Sequence, residues 1–299
     1  MIELSGVSKA FGPVQALQDV DLSVRQGELF GLIGHNGAGK STLFQIMLGL
    51  LRADSGHIRI HGQTVDDKRF RPIRRRLGYL PENVVLYDNL SGLETLRFFA
   101  RLKGFDPAQS PALLEQVGLQ EAGARKVRGY SKGMRQRLGF AQALLGEPDI
   151  LFLDEPTNGL DPEGIRAFYQ TLSALRERGM TVVITSHILA EIQQRVDRLA
   201  MLKNGRIESM GSLDALRQGR NSPAWIVLTA QPGAMAALAP SVARLAGCEP
   251  AIDGSRLSFP CARDDKMRLL RDLSGLAAHI LDIQVREASL EELFLGHVE

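Results

Sequence analysis

The sequence lacks the features that mark secreted, disulfide-stabilised or membrane-spanning proteins. It contains only two cysteines, Cys248 and Cys261, so neither a disulfide framework nor a zinc site is expected, and a reducing compartment is the default. Its longest apolar stretch, residues 43–51, is interrupted by Gln45 and is far shorter than the ~20 residues that span a bilayer. The first residues have neither the basic nor the apolar region of a signal peptide. We therefore expect a cytoplasmic chain that does not cross a membrane by itself.

The sequence also has little net charge and few aromatic residues. The sequence contains 36 Lys and Arg residues and 34 Asp and Glu residues, which gives a formal net charge of +2. Aromatic residues make up 6% of the chain. Such a balance provides no overall field for nucleic acid, and no nucleic-acid partner is expected. The 44% of hydrophobic residues is typical of a globular protein, and 299 residues predict one large domain or two.

Short apolar runs alternate with helical patterns over most of the chain. Strands are expected at residues 2–4, 17–24, 28–33, 150–153 and 180–185, and helices at 42–51, 162–178 and 189–197. This alternation predicts an α/β fold with a mostly parallel sheet covered on both faces.

The pattern changes twice along the chain. Between residues 77 and 146, helical segments at 92–103, 110–117 and 135–145 occur without a convincing strand, which predicts a helical subdomain at about 84–146. Farther on, strands at 224–230, 256–259 and 280–286, a weak strand near 251, and helices at 234–246 and 264–274 follow one another. The resulting order β-α-β-β-α-β predicts a ferredoxin-like unit, so two domains are expected, residues 1–217 and 218–299.

A glycine-rich loop carries the strongest chemical signal. Residues 34–41, GHNGAGKS, fit the pattern G-x-x-x-x-G-K-[ST] between an apolar strand and a helix, a context that disfavours the alternative of an ordinary glycine turn. Backbone N–H groups of such a loop bind phosphate, Lys40 supplies charge for the β- and γ-phosphates, and Ser41 supplies a hydroxyl for Mg²⁺. ATP with Mg²⁺ is therefore the expected cofactor, held by Gly34, His35, Asn36, Gly37, Ala38, Gly39, Lys40, Ser41 and Thr42.

Two acidic residues follow the apolar run at 150–153. Because open α/β sheets bind ligands at the carboxyl ends of their strands, Asp154 is expected to hold Mg²⁺ and Glu155 to act as the general base on the attacking water. Alone, this pair is more typical of a solvated acidic turn; together with the glycine loop, it predicts a catalytic pair.

Residues 130–137, YSKGMRQR, resemble the L-S-G-G-Q signature of ATP-binding cassette (ABC) ATPases. Ser131 and Gly133 match that signature, whereas Tyr130, Lys132 and Met134 depart from it. In the family, two nucleotide domains pair head to tail, and this Ser and Gly contact the γ-phosphate bound by the partner. A helix simply capped by Ser131 is the alternative.

The other family motifs occur in order over about the first 215 residues. Phe11 matches the aromatic residue that stacks on adenine, and Glu82 stands where the family usually has a glutamine near Mg²⁺. Asp161, in NGLD at 158–161, resembles the D-loop, and His187 matches the switch histidine. The resemblance implies a P-loop ABC ATPase that forms a homodimer and energises a separate transmembrane permease from the inner face of the cell membrane.

The same resemblance assigns catalytic roles to Lys40, Glu155 and His187 and metal-binding roles to Ser41, Glu82 and Asp154. A soluble ABC ATPase without a transport role is the alternative, which a single cassette without a long coiled coil disfavours.

Finer resemblances concern the transported cargo. Residues 288–294, ASLEELF, resemble the end of the C-terminal extension of ABC-2-type exporter ATPases. Residues 34–40, 77–84 and 130–148 are similar to the ATPase of the transporter that matures the copper centre of nitrous oxide reductase, which implies a periplasmic accessory protein as a further partner. A generic exporter ATPase for a drug, lipid or polysaccharide is the alternative.

A basic cluster precedes Glu82, and an apolar segment follows it. Such a cluster is more typical of a solvated helix face than of a lipid- or nucleic-acid-binding site. A third interpretation is that the cluster lies beside the groove in which the permease docks. The apolar residues belong either to the core or to that groove. The basic residues are Lys68, Arg69, Arg71, Arg74, Arg75 and Arg76, and the apolar ones Val84, Val85, Leu86, Tyr87, Leu96, Phe98 and Phe99.

Overall fold

Residues 1–218 and 224–287 are described by the structure, which is a computed structural model. The chain divides into two units at Leu213 and Asp214, whereas the sequence placed the boundary at residue 217. The segment 288–294 singled out above lies outside the described residues. In the described ranges, no helix has the length and apolarity needed to cross a bilayer.

The first unit opens with an antiparallel sheet. Its strands are β1 (Ile2–Phe11), β2 (Val14–Val24), β4 (Ser55–Ile60) and β5 (Gln63–Thr64), in the order β2-β1-β4-β5. The sequence predicted only residues 2–4 for β1 and 17–24 for β2. Both strands extend farther because β1 pairs with β2 on one side and β4 on the other, while register shifts between these strands obscure the alternation of apolar residues.

A six-stranded sheet forms the centre of this unit, in the order β10-β9-β3-β8-β7-β6. Its strands are β3 (Leu29–Ile33), β6 (Leu77–Leu80), β7 (Ile150–Leu153), β8 (Thr181–Ser186), β9 (Arg198–Lys203) and β10 (Arg206–Gly211). The pairs from β9 to β6 are parallel, and only β10 runs antiparallel. The predicted mostly parallel sheet is thus confirmed.

Three sequence-based boundaries in this sheet region were wrong. Residues 77–80 form a strand where none was expected, because β6 pairs in parallel with β7, a partner 73 positions away that periodicity cannot reveal. The helix expected at 189–197 is only α7 (Leu189–Ile192). The chain then turns into β9, where the Asp197 carboxylate accepts a hydrogen bond from the Leu29 backbone N–H at 2.9 Å. The helix expected at 42–51 is α1 (Lys40–Met47).

Helices cover the central sheet and build the subdomain between β6 and β7. They are α2 (Phe70–Arg74), α3 (Gly92–Lys103), α4 (Ser110–Gln116), α5 (Lys132–Ala143) and α6 (Pro162–Glu177). The Phe44 ring of α1 meets the Phe152 ring of β7 edge-on, with centroids 5.4 Å apart. This packing fixes α1 against the strand that carries the acidic pair.

The second unit has the order β-α-β-β-α-β that the sequence predicts. After α8 (Leu213–Gln218), it contains β11 (Ala224–Ala230), α9 (Met235–Ala246), β12 (Ala251–Asp253), β13 (Arg256–Cys261), α10 (Lys266–Ser274) and β14 (Ile280–Glu287). The strands form one antiparallel sheet in the order β12-β13-β11-β14. Ile226, Leu228 and Phe259 of the sheet pack with Leu238 and Leu273 of the helices in a separate core.

Candidate nucleotide site

The glycine-rich loop joins a fully buried strand to the start of a helix. β3 lies between β8 and β9, and residues 34–39 follow its carboxyl end before α1 begins at Lys40. Gly39 has φ +109, and a Cβ there would lie 2.6 Å from the Ala16 carbonyl oxygen. Only glycine fits this left-handed, closely packed position, so the loop can pass this close to β2 only with glycine at residue 39.

A cavity of 310 Å³ opens at this loop. The cavity brings residues 35–42 of the predicted loop together with Glu82 and Glu155, which are distant in sequence, whereas Gly34 is not part of its lining. It also includes residues at the start of β2 that the sequence analysis missed, because no motif marks them. The lining is Val14, Gln15, Ala16, His35, Asn36, Gly37, Ala38, Gly39, Lys40, Ser41, Thr42, Glu82 and Glu155.

A charge network crosses the floor of the cavity. The Lys40 ammonium donates to the Gly34 carbonyl oxygen at 2.6 Å and lies 3.2 Å from Glu155 Oε1. The other carboxylate oxygen, Oε2, lies 2.8 Å from Nδ1 of His187. Lys40 and Glu155 are 6% and 5% exposed. Glu155 therefore contacts both of the other residues that the family resemblance made catalytic.

Glu155 has an unusual backbone conformation. Its φ of +47 lies in the left-handed region that non-glycine residues rarely adopt. Such conformations cost about 1–3 kcal/mol and concentrate at functional sites. At this position, the turn after β7 directs the carboxylate at Lys40 and His187 instead of continuing along the strand.

Asp154 is held by a residue that the sequence analysis did not identify. The Thr185 hydroxyl donates to Asp154 Oδ1 at 2.7 Å and accepts the backbone N–H of Glu155 at 2.9 Å. Thr185 is fully buried, and Asp154 is 2% exposed. Only the pairing of β7 with β8 brings this hydroxyl beside the acidic pair, so no local motif could indicate it.

The donor groups in this region fit Mg²⁺. The hydroxyl of Ser41 and the carboxylates of Asp154 and Glu82 are the oxygen ligands that Mg²⁺ prefers. Burial, then the charge of Asp154, then that of Glu82 raise the pKa of the nearby Tyr79 phenol to about 12. Ser41, Asp154 and Glu82 would hold the Mg²⁺, which would supply positive charge to neutralise the phosphates.

The signature and D-loop residues lie next to each other but outside this cavity lining. Ser131 caps α5 by accepting the Met134 N–H at 3.2 Å, and Asp161 caps α6 by accepting the Gly164 N–H at 2.9 Å. A Cβ at Gly133 would lie 3.1 Å from the Gly159 carbonyl oxygen, so the two segments pack closely. In a single chain, these groups do not complete the cavity.

Phe11 also lies outside the cavity lining. It ends β1 and is 48% exposed, and the Lys9 ammonium lies 5.6 Å from its ring centroid. The turn after Phe11 leads into Val14, which does line the cavity. Adenine stacking by this ring stays a prediction.

The fold and the contacts that join Lys40, Glu155 and His187 define a P-loop ATPase. The sequence profile of one family, described as ABC transporter, matches residues 17–158. The chain belongs to the family of ABC transporter ATP-binding proteins, as close similarity to curated members shows. The daunorubicin resistance ATP-binding protein DrrA3 of Streptomyces coeruleorubidus is 35% identical over 302 residues, or 98% of this chain and 94% of the relative. The bacitracin transport ATP-binding protein BcrA of Bacillus licheniformis is 38% identical over 220 residues, or 73% and 72% of the two chains.

Solved structures agree with this assignment. The dimeric structure of MJ0796, a bacterial ABC transporter cassette, matches with a TM-score of 0.66 and 28% identity, covering 71% of this chain and 99% of that one. The same cassette in a post-hydrolysis state, bound to ADP and Pi, matches equally well.

Proposed function

We propose that this chain hydrolyses ATP as one half of a head-to-tail homodimer that energises a separate membrane permease. The observation that carries the proposal is the division of the site. Lys40, Glu155 and His187 are assembled in one chain, while Ser131 and Gly133 lie away from that chain's cavity. A second copy, facing the first, supplies the missing hydroxyl and N–H groups at the γ-phosphate.

The contact between Lys40 and Glu155 suggests how ATP triggers its own hydrolysis. The γ-phosphate is the natural partner of Lys40, so ATP replaces the Glu155 carboxylate at that ammonium. Glu155 Oε1 is then free to accept a proton from the attacking water, while Oε2 keeps its contact with His187. The water oxygen attacks the γ-phosphorus, the bond to the bridging oxygen breaks, and ADP leaves with the electron pair of that bond.

The shared site can be tested with a bulky substitution at Ser131. In a Glu155→Gln background, we expect ATP to produce a dimer that size-exclusion chromatography with light scattering detects. Ser131→Arg in the same chain prevents the dimer but leaves ATP binding to the monomer intact, because Ser131 lies outside the cavity. Ser131→Ala is the matched control, since it removes the same helix cap without adding bulk. Unimpaired dimers of the Ser131→Arg chain contradict the proposal.

An exposed apolar surface is our proposed docking site for the permease. Val85, Tyr87 and Phe98 are 87%, 53% and 40% exposed, and the rings of Tyr87 and Phe98 meet edge-on at 5.5 Å. We call these three residues the aromatic patch, after the two rings of Tyr87 and Phe98. Leu86 and Leu96, by contrast, are buried and belong to the core. Contiguous exposed apolar residues mark interaction sites, and a short helix of the permease fits such a surface.

The docking site can be tested by co-purification. We expect Tyr87→Ala with Phe98→Ala to reduce recovery of the permease encoded beside this chain and to leave basal ATP hydrolysis unchanged. Exposed residues of the second unit offer a matched control, such as Ile252→Ala with Met267→Ala. Equal recovery with both double variants contradicts the docking site.

For the cargo, the relatives favour an exporter of amphiphilic compounds. Two of them are named for daunorubicin resistance and bacitracin transport. Deletion of the gene is then expected to lower the resistance of the host to such compounds, measured as growth in their presence. Unchanged growth across amphiphilic antibiotics contradicts this cargo class and leaves the ATPase untouched.

Maturation of nitrous oxide reductase, with a periplasmic accessory protein, stays a second prediction, supported by residues 34–40, 77–84 and 130–148. Cells deleted for the gene and grown with nitrate but without oxygen are then expected to accumulate nitrous oxide. A reductase purified from them with its full copper content rules this role out.

A further inference from the structure

A groove outside the nucleotide site is lined by six cationic side chains and by no carboxylate. It lies between α2 and the carboxyl-terminal end of α3, with a volume of 1070 Å³. We call it the basic groove. Its cations are Lys68, Arg69, Arg71, Arg74, Arg75 and Lys103.

Most of these charges have no acidic partner. Arg69 pairs with Asp67 at 2.7 Å, but among the described residues no carboxylate forms an ion pair with the other five. Arg75 donates to the Lys103 carbonyl oxygen at 3.1 Å, and Arg74 donates to that of Gly49 at 3.2 Å. These bonds hold the guanidinium groups in place without neutralising them. Like charges that line one groove repel one another, and a bound anion relieves that repulsion.

The same groove has an apolar side. Leu102 lines it and is 70% exposed, and the half-buried Leu77 and Phe105 lie beside it. Leu102 follows Phe98 by four positions, so the two side chains share one side of α3. The basic groove and the aromatic patch therefore meet along this helix.

We propose that the basic groove binds the phosphate groups of anionic phospholipids at the membrane surface. The inference rests on the proposed function, because docking of the aromatic patch on a permease turns this side of α3 towards the bilayer. Cations spread along an open groove match an array of headgroups, and Leu102 can reach the apolar boundary beneath them. The cytoplasmic leaflet is anionic and attracts Lys and Arg placed next to it.

Vesicle sedimentation with the purified full-length chain tests this proposal. We expect the chain to bind vesicles of phosphatidylglycerol mixed with phosphatidylcholine, and not vesicles of phosphatidylcholine alone. Raising the salt concentration weakens the binding, because exposed charges are screened. Lys68→Gln with Arg71→Gln is expected to lower the partition coefficient about 25-fold, or about fivefold per charge. Neither side chain makes a hydrogen bond or ion pair among the described residues, so the fold is preserved.

Arg166→Gln with Arg178→Gln is the matched control, since it removes the same charge from two exposed sites elsewhere. The control is expected to bind vesicles as the unchanged chain does. Equal loss in the two double variants, or equal binding to both kinds of vesicle, overturns the proposal. Should the groove variant fail to fold, the lipid and salt dependence of the unchanged chain still decide the question.

A soluble phosphate ligand is distinguished by competition. Pyrophosphate is expected to release the chain from vesicles no better than sulfate at equal ionic strength. Selective release by pyrophosphate assigns the groove to a soluble ligand and overturns the lipid site. The vesicle experiment contains no permease, so a negative result there does not bear on the aromatic patch as a docking site. A negative result in the co-purification experiment, in turn, does not change the measured binding to vesicles.

Discussion

Glu155 interacts with two groups that ATP hydrolysis requires at different moments. Its carboxylate is 3.2 Å from the Lys40 ammonium and 2.8 Å from His187. The lysine thus stays paired in the buried site, where an unpaired charge is costly. Because Lys40 is assigned to phosphate binding and Glu155 to activation of the water, mutation is expected to affect ATP binding and hydrolysis separately.

Glu155→Gln is expected to bind ATP while its turnover falls by about 10²-fold or more, because the amide cannot accept the water's proton. Lys40→Ala, in contrast, is expected to weaken ATP binding itself. Phosphate release and fluorescent-nucleotide titration measure the two effects. Unchanged turnover of the Glu155→Gln chain would falsify the assignment of the base.

Thr185→Val is expected to raise the Mg²⁺ concentration needed for half-maximal hydrolysis about 10- to 100-fold. Loss of a group that orients a metal ligand typically has an effect of that size. The loss of both hydrogen bonds around Asp154 and Glu155 is also expected to cost about 1–3 kcal/mol of stability. ATPase assays across Mg²⁺ concentrations and urea unfolding measure these two effects. Thr185→Ser keeps the hydroxyl and is expected to behave nearly as the unchanged chain; a similar loss there contradicts the role of the hydroxyl.

At this scale, the sequence predicted those site residues that belong to local motifs. Lys40 and Ser41 were identifiable because they belong to a single loop motif with fixed spacing. Thr185 and Val14 were not, since they reach the site only through strand pairing and through the turn after Phe11.

At the scale of elements, α3 is fixed by the residues at its start. Ser91 caps the helix and Glu94 completes a capping box, accepting the Ser91 N–H at 2.7 Å. Glu94 also lies 3.0 Å from the Lys126 ammonium. The Ser91 backbone N–H, then Lys126, then the Ser91 hydroxyl lower the pKa of Glu94 to about 2. The helix that carries Phe98 and Leu102 is thereby tied to the segment before α5.

Glu94→Ala is expected to lower the thermal midpoint at neutral pH. A carboxylate whose pKa is lowered by folding stabilises the folded state above its unfolded pKa, here 4.5, and loses that effect as the pH falls towards about 2. The difference from the unchanged chain therefore narrows below about pH 4.5. Glu121→Ala, at an exposed site, serves as the control in circular dichroism melts. A difference that persists unchanged at low pH contradicts this account.

Some elements could be predicted from local patterns, and others could not. The amphipathic pattern of residues 92–103 coincides with α3, because a helix is defined by neighbours three and four positions away. β6 was missed and β1 was cut short, since their stability depends on partner strands that are distant in sequence.

At the scale of the whole molecule, the two units have separate hydrophobic cores. The nucleotide site and the basic groove lie entirely in the first unit, and the second unit has its own four-stranded sheet. We infer that each unit can fold without the other.

A shortened chain that ends at residue 218 is expected to fold and to bind ATP with nearly unchanged affinity. Loss of the second unit is expected to alter dimerisation or regulation first. Nucleotide titration and thermal unfolding of both chains, with light scattering in ATP, test this expectation. Global unfolding of the shortened chain shows that the boundary is wrong.

The central position of β3 has a consequence for synthesis of the protein on the ribosome. β3 ends at Ile33, yet its two neighbours, β8 and β9, are complete only at Ser186 and Lys203. At ribosomal speeds of about 5–20 residues per second, roughly 10 to 30 seconds pass between the synthesis of β3 and that of the two strands that pair with it. During that interval an apolar strand stays unpaired, so the nascent chain depends on chaperones far more than the finished protein does.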